Sequence, residues 1–289
     1  MKLVTDSGVD IIFPPETRNA IEVEIVPLRV SLDGKSYREG IDIEKTEFYN
    51  LLAATTNLPE TSEPSAADFA DTYRRLAKSD PEILSIHTSS GLSQTLNSAI
   101  SGAAMTPEAN VTHFDTRTLS VAAGWMVQAA SKAIKAGWSA KEIVSLLRRI
   151  RAGTITIYTL DDLKYMINGG RISHMKGLIA NFLDIKPVIG LEKSNGTLTQ
   201  LGQERTFGGA LKSLVKEIGK MHTSEKFRAQ VVHASNFNSA AMLKGKIMLG
   251  FKAEWLPIGE MSLVLGAHTG PSMVGVAFAD QSIFDEIPE

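Results

Sequence analysis

Hydroxyl side chains gather in short stretches of this chain, away from the partners that would turn them into nucleophiles. Two clusters, Thr61-Ser62-Glu63-Pro64-Ser65 and Thr88-Ser89-Ser90-Gly91-Leu92-Ser93, are joined late in the sequence by Gly169-Gly170-Arg171-Ile172-Ser173 and His268-Thr269-Gly270-Pro271. Neutral O–H donors and backbone amides at loop-to-helix junctions suit an anionic headgroup, because a helix start presents unpaired N–H groups and the positive end of its dipole. The chemistry these types predict is holding an anion, not cutting a bond.

Each position also has a plainer account. Ser93 stands where the helix from Gln94 begins, and a serine there either caps its own helix or offers a hydroxyl to a carboxylate. Pro64 biases Glu63 toward an extended conformation, so the turn either leads into a cap at Ser65 or presents Thr61 and Ser62 sideways. Arg171 after two glycines is a basic residue near a helix end, or a permanently charged fork for carboxylate or phosphate. His268 is a core histidine satisfied by backbone, or a donor to the same headgroup. Ser90, Ser93, His87 and His268 are the available parts for Ser-His-Asp hydrolysis, but the chain has no G-x-S-x-G elbow. Neither a phosphate-binding G-x-x-x-x-G-K-[ST] loop nor a G-x-G-x-x-G turn occurs, which disfavours nucleotide binding.

The elements that must position these groups follow an α/β rhythm, short apolar runs alternating with helix-period segments. Strands are predicted at Lys2 to Thr5, Ile83 to His87 and Val111 to Phe114, with a β candidate from Glu22 to Leu32 broken by Pro27 and ending at the Asp33-Gly34 turn. Asp42 is placed as the cap of a helix running to about Thr55. Ser65 with Asp68, and Ser139 with Glu142, read as capping boxes. Helices are expected at Gln94 to Ala104, Leu119 to Ala136 and Ala140 to Ile150. After Gly153 the texture changes: Thr154 to Thr159 alternates, Leu160 to Asn168 is a short helix, and Asn195-Gly196 is a strong hairpin signal between Ile185 to Leu191 and Thr197 to Gln203. Strand-like runs at Gln230 to Ala234, Ser262 to Gly266 and Met273 to Phe278 complete this half. The expected fold is α/β in two domains: residues 1–152 with a parallel sheet and residues 153–289 with a mixed sheet.

Bulk composition narrows the classes. The chain has 289 residues, 43% hydrophobic and 21% charged, enough for two cores. A formal net charge of -2 leaves no whole-chain footprint for nucleic acid or an anionic membrane. With no cysteine there are no disulfides, thiol nucleophiles or thiolate-bound zinc, and the six histidines form no H-E-x-x-H pair. No cofactor or metal is expected. The N-terminal Met1-Lys2-Leu3-Val4-Thr5-Asp6 meets an acid too early for a signal peptide, so a cytoplasmic location is expected.

Taken in order, Asp6-Ser7, the two hydroxyl clusters, Asp115-Thr116, Gly169-Gly170-Arg171-Ile172-Ser173 and His268-Thr269-Gly270-Pro271 resemble the DegV family of bacterial fatty-acid-binding proteins, nearly end to end. The resemblance implies one long-chain fatty acid, such as palmitate, stearate or oleate, buried between two α/β domains. It further implies a carrier with no catalysis of its own, which presents the carboxylate to a separate fatty acid kinase for acyl-phosphate formation and phospholipid synthesis; transient membrane contact is compatible with that role. By position, Thr61, Ser62, Ser90, Ser93, His268 and Thr269 fall to the headgroup, and Arg171 to docking of the kinase. The chain departs from the family pattern at Glu63, Gln94, Ser272 and Met273. Expected tail walls are Ile157, Met166, Leu178, Phe182, Leu183, Val188, Met261 and Leu263, with Met175 as a further adaptable filler. The alternatives are a small-molecule kinase-like or hydrolase enzyme using the same hydroxyls, and a regulatory sensor whose surface changes with lipid.

Overall fold

Lys2–Asp6 (β1) is buried along almost its whole length, as a strand covered on both faces must be. It pairs in parallel with Glu24–Val26 (β2) on one side and with Glu82–His87 (β6) on the other, and β6 pairs with Asn110–Asp115 (β7), giving a four-stranded parallel sheet in the order β2-β1-β6-β7. Successive side chains serve opposite faces: Leu3 joins the core beneath Ser120–Lys135 (α5), and Val4 joins Phe69 and Tyr73 of Ala66–Ala77 (α3). The computed structural model describes residues 1–172, 185–222, 224 and 226–288.

Between β2 and β6 the chain builds a small antiparallel sheet from Arg29–Leu32 (β3), Lys35–Arg38 (β4) and Glu60–Ser62 (β5). The β3–β4 turn is Asp33-Gly34, both at positive φ (51° and 77°), the conformation that a two-residue hairpin demands. The sequence placed Thr61 and Ser62 in a loop, whereas β5 pairs Thr61 with Val30 and Ser62 with Arg29. Strand pairing was hidden because three residues are too few to show alternation. Ser65 caps α3 in a capping box with Asp68, as expected. Asp42 does not cap a helix. Its carboxylate accepts from the Arg38 guanidinium at 2.8 and 2.9 Å, and Lys45–Ala54 (α2) starts later with Glu44 at the N-cap.

The later strands form a mixed seven-stranded sheet: Ile155–Thr159 (β8), Lys186–Leu191 (β9), Leu198–Glu204 (β10), Phe227–His233 (β11), Ala253–Trp255 (β12), Gly259–Glu260 (β13) and Val274–Asp280 (β14), in the order β10-β9-β8-β14-β11-β12 with β13 also on β11. The Asn195-Gly196 signal sits in the β9–β10 connection of an antiparallel pair. Thr95–Ala104 (α4), Ala140–Gly153 (α6), Lys164–Asn168 (α7), Phe207–Met221 (α8) and Phe237–Met248 (α9) cover the sheets, while Pro15–Ala20 (α1) follows the first strand. Residues 262–266 were expected to be a strand and instead open a helix, Leu263–Thr269 (α10). A short apolar run does not distinguish the two by period, and here a carboxylate decides: Glu39 accepts from the Leu263 amide and the Ser262 hydroxyl (2.9 Å).

Composition suggested two separate cores. The largest apolar cluster runs through both sheets, from Leu3, Val30 and Trp125 to Tyr158, Ile189 and Met261, with further clusters on the outer face of each sheet. A buried amide reinforces the junction: Trp125 Nε1 donates to Gln230 Oε1 (2.7 Å), and Gln230 Nε2 donates to the carbonyls of Ile12 and Pro257 (2.7 and 3.0 Å). No helix among the described residues is long and apolar enough to cross a membrane.

Candidate functional site

A cavity opens where β5, the loop before α4, α7 with its following turn, and α10 converge. About 770 Å³ of space, open mouth included, lies between its lining atoms. Thr61, Ser62 and Glu63 enter from β5 and its end, Ser93 from the loop before α4, Arg171 from the turn after α7, and His268 and Thr269 from the last turn of α10. Apart from Thr88 and Tyr158, the rest of the wall is apolar, including Leu28, Leu92, Leu119, Leu198, Val264 and Met273.

The polar side chains form linked pairs. Thr61 Oγ1 lies 2.8 Å from His268 Nε2. Burial, reinforced by the Arg171 guanidinium, depresses the His268 pKa to about 4, so the ring is neutral near pH 7. Its Nδ1 is buried with no hydrogen-bond partner among the described residues. The ring lies against Gly169, where any Cβ would overlap it, so the glycine gives the histidine its place. Arg171 is anchored by donating to the Gly169 carbonyl (2.6 Å) and the Leu92 carbonyl (3.3 Å), which ties the turn to the Ser93 loop.

Ser93 was expected at the N-cap of α4. That position belongs to Gln94, because the amides of Leu92 and Ser93 both turn back to the Ser89 carbonyl and delay the helix. Ser93 Oγ accepts from the Thr95 amide (3.2 Å) and lies 2.8 Å from Thr95 Oγ1. The site is therefore built more from hydroxyls than from amides. Ser90 does not reach it: this exposed hydroxyl donates to Asp115 (2.6 Å), and Ser90 is not among the cavity's lining residues. Thr269 lines the cavity while its hydroxyl donates to the Leu265 carbonyl at 3.1 Å.

Of the expected tail walls, Met166 and Met261 line the cavity. Ile157 and Val188 belong to the core on the opposite face of the sheet, and strand alternation puts Tyr158 at the cavity instead. Leu263 is buried beside it, and its neighbours Val264 and Leu265 do the lining. Ser173, Met175, Leu178, Phe182 and Leu183 lie outside the described residues. Two of the departures from the family pattern, Glu63 and Met273, are at the wall; Ser272 instead accepts from the Asp161 amide at 2.9 Å.

The parts of a hydrolase relay do assemble, in another place. His87 Nδ1 lies 3.0 Å from Asp6 Oδ2 and His87 Nε2 lies 2.7 Å from Ser85 Oγ. All three are fully buried, and Ser85 Oγ is 2.8 Å from Tyr73 Oη, so this serine faces a tyrosine and no substrate space. Asp6 also accepts from the Thr88 hydroxyl (2.8 Å) and amide (3.0 Å), which fixes the start of the hydroxyl-rich loop. No group of three or more His, Cys, Asp or Glu side chains among the described residues is placed to hold a metal.

Comparison with known proteins converges on one family. A family model described as "Uncharacterised protein, DegV family" matches residues 1–281. A DegV domain-containing protein of Staphylococcus aureus strain MRSA252 is 33% identical over 275 residues, covering 95% of this chain and 96% of its own. A solved DegV family protein from Thermus thermophilus, described with fatty acid binding, superposes with a TM-score of 0.86 at 30% identity, covering 96% of this chain and 99% of that one. Bacillus subtilis DegV, described as a fatty acid binding protein, gives a TM-score of 0.86 at 27% identity over 97% of this chain and 99% of that one.

Proposed function

The chain belongs to the DegV family, and from that premise we propose that it binds one long-chain fatty acid, without catalysis of its own, and presents the carboxylate to a fatty acid kinase in the cytoplasm. The observation that carries this reading is one cavity with two unlike kinds of lining: hydroxyls, a neutral imidazole and a guanidinium on the one hand, leucines, methionines and a valine on the other. The fatty acid binding described for the Thermus and Bacillus relatives supports it.

In this reading His268 Nε2–H donates to Thr61 Oγ1, which turns the threonine proton toward the carboxylate. Thr95 donates to Ser93, freeing the Ser93 proton for the same head. Ser62 and Thr269 complete the polar wall, and Arg171 supplies positive charge at the mouth. Burying roughly 14 methylenes at about 0.8 kcal/mol each gives a gross gain near 11 kcal/mol before association and ordering costs. Tail burial dominates affinity and the head fixes orientation. Residues 1–152 and 153–289 are the two domains that close on the ligand. Among the described residues the hydrolase alternative finds its relay in the sealed Asp6-His87-Ser85 set, which argues against it.

Kinase presentation has its own test. Acyl-phosphate production is measured with a fatty acid kinase and Arg171→Ala protein loaded with fatty acid. Normal lipid occupancy with reduced acyl-phosphate is the expected result. Full production at full occupancy removes the docking role.

A further inference from the structure

Resting on the fatty acid reading above, we propose that Glu63 makes ligand binding proton-linked in this chain: the ligand's carboxyl and the Glu63 carboxyl share one proton inside the cavity, so the acid enters with a proton and leaves as pH rises. Glu63 reaches the site by strand geometry. Pro64 disfavours helical backbone at Glu63, so the extended course of β5 carries on through it. Successive side chains of an extended chain point to opposite sides. The burial follows that period: Glu60 and Ser62 are exposed, Thr61 and Glu63 half-buried. Thr61 meets His268 at the cavity wall, and Glu63 lines the same cavity from the same side of the chain. The cation of the neighbouring strand, Arg29, stands opposite Ser62 and is taken by Asp68 at 3.2 Å; the Glu63 carboxylate has no hydrogen-bond or ion-pair partner among the described residues.

The charges on the lining decide what a bound acid does. Its titratable side chains are Glu63 from the end of β5, Tyr158 from β8, Arg171 from the turn after α7 and His268 from α10. The loops after β1 and before α4 bring neutral groups only, Gly8, Thr88, Leu92 and Ser93. Behind them Asp6 is fully buried, its oxygens accepting from Thr88 and the Gly8 amide and facing His87. His268 is neutral near pH 7, and burial raises the Tyr158 phenol so that it too stays uncharged. The formal charges of Glu63 and Arg171 therefore cancel, and a fatty acid anion sets a second carboxylate against one guanidinium. Arg171 already commits Nε and Nη1 to the carbonyls of Leu92 and Gly169. Between leucine and methionine walls the repulsion is weakly screened. Two carboxylates in one such site hold a proton between them, as a short charge-assisted O–H···O bond. That proton comes from solvent.

The test is calorimetric titration of the delipidated full chain with myristate at pH 7, repeated in buffers of different ionisation enthalpy so that the protons taken up are counted. The wild type is expected to take up about one proton for each acid bound. Glu63→Gln and Glu63→Thr take up none, and Glu63→Asp retains the uptake. Binding coupled to proton uptake weakens as pH rises, so the wild-type Kd increases by about tenfold or more between pH 6 and 8 while the two neutral variants stay flat. Equal urea midpoints show that the variants fold. Myristate binding without proton uptake in the wild type overturns the proposal. So does uptake that survives in both neutral variants, which assigns the proton to another group, the His268 imidazole first. Absence of myristate binding at every pH fails the fatty acid reading itself and takes this proposal with it.

Discussion

Thr61 and Ser93 reach the proposed head site from different sheets and loops, and each already has a polar neighbour that orients its proton. Ser93→Ala removes one donor to a charged group, and an affinity loss of roughly 1–3 kcal/mol is expected in a titration of delipidated protein with fatty acid. Thr61→Val keeps the shape and is expected to lose a similar amount. The double substitution should cost less than the sum, because both hydroxyls serve one headgroup; strict additivity would place them on different ligands or none. The residue types that line the cavity were legible in the sequence, where hydroxyls, a Gly-Gly-Arg turn and a His-Thr pair stood out as a set. Ser90 was not legible: Asp115, which takes its proton, is far along the chain, and only the β6–β7 pairing brings the two together. Tyr158 was missed for a related reason, as choosing between it and Ile157 depends on which face of β8 meets the cavity.

Helix α10 is gripped at both ends, by Glu39 just beyond β4 at its start and by Thr61 of β5 at its finish. Burial, assisted by the nearby Asp10 carboxylate, raises the Glu39 pKa to about 7, against hydrogen bonds from the Leu263 amide, Ser7 and Ser262. The folded chain then holds a proton on Glu39 that the unfolded chain has released. Its stabilising effect is complete below the ordinary glutamate range and is lost as pH rises toward 7, on the order of 3 kcal/mol across that interval. Glu39→Gln should flatten this part of the urea-midpoint profile between pH 4.5 and 7. A residual slope of the same sign is expected from Asp10, whose carboxyl is also raised by burial although Lys45 lies 3.5 Å away. An identical profile in the variant would mean that Glu39 does not titrate in that range. At the other end, Gly169→Ala pushes a methyl into the His268 ring. Weaker fatty acid binding with a near-normal urea midpoint is the expected pair of results. The elements themselves were mostly readable, because strands, capping boxes and the Asn195-Gly196 hairpin are written locally. Helix α10 was not, because the carboxylate that caps it comes from more than two hundred residues away in sequence.

At the scale of the molecule, two sheets share one apolar core, and the cavity opens where that core meets the hydroxyl loops. The α/β class and the change of texture after Gly153 were visible as pattern, but a common core was not, since composition counts apolar residues without saying which face they share. In the proposed function the cavity holds a single acyl chain by its tail and fixes it by its carboxylate. Native mass spectrometry of the purified chain, followed by extraction and analysis of its lipid, tests this directly. One long-chain fatty acid for each polypeptide is expected, lost when Thr61, Ser93 and His268 are replaced together. A polypeptide mass with no bound acid, in protein that also fails to take up added fatty acid, would contradict it.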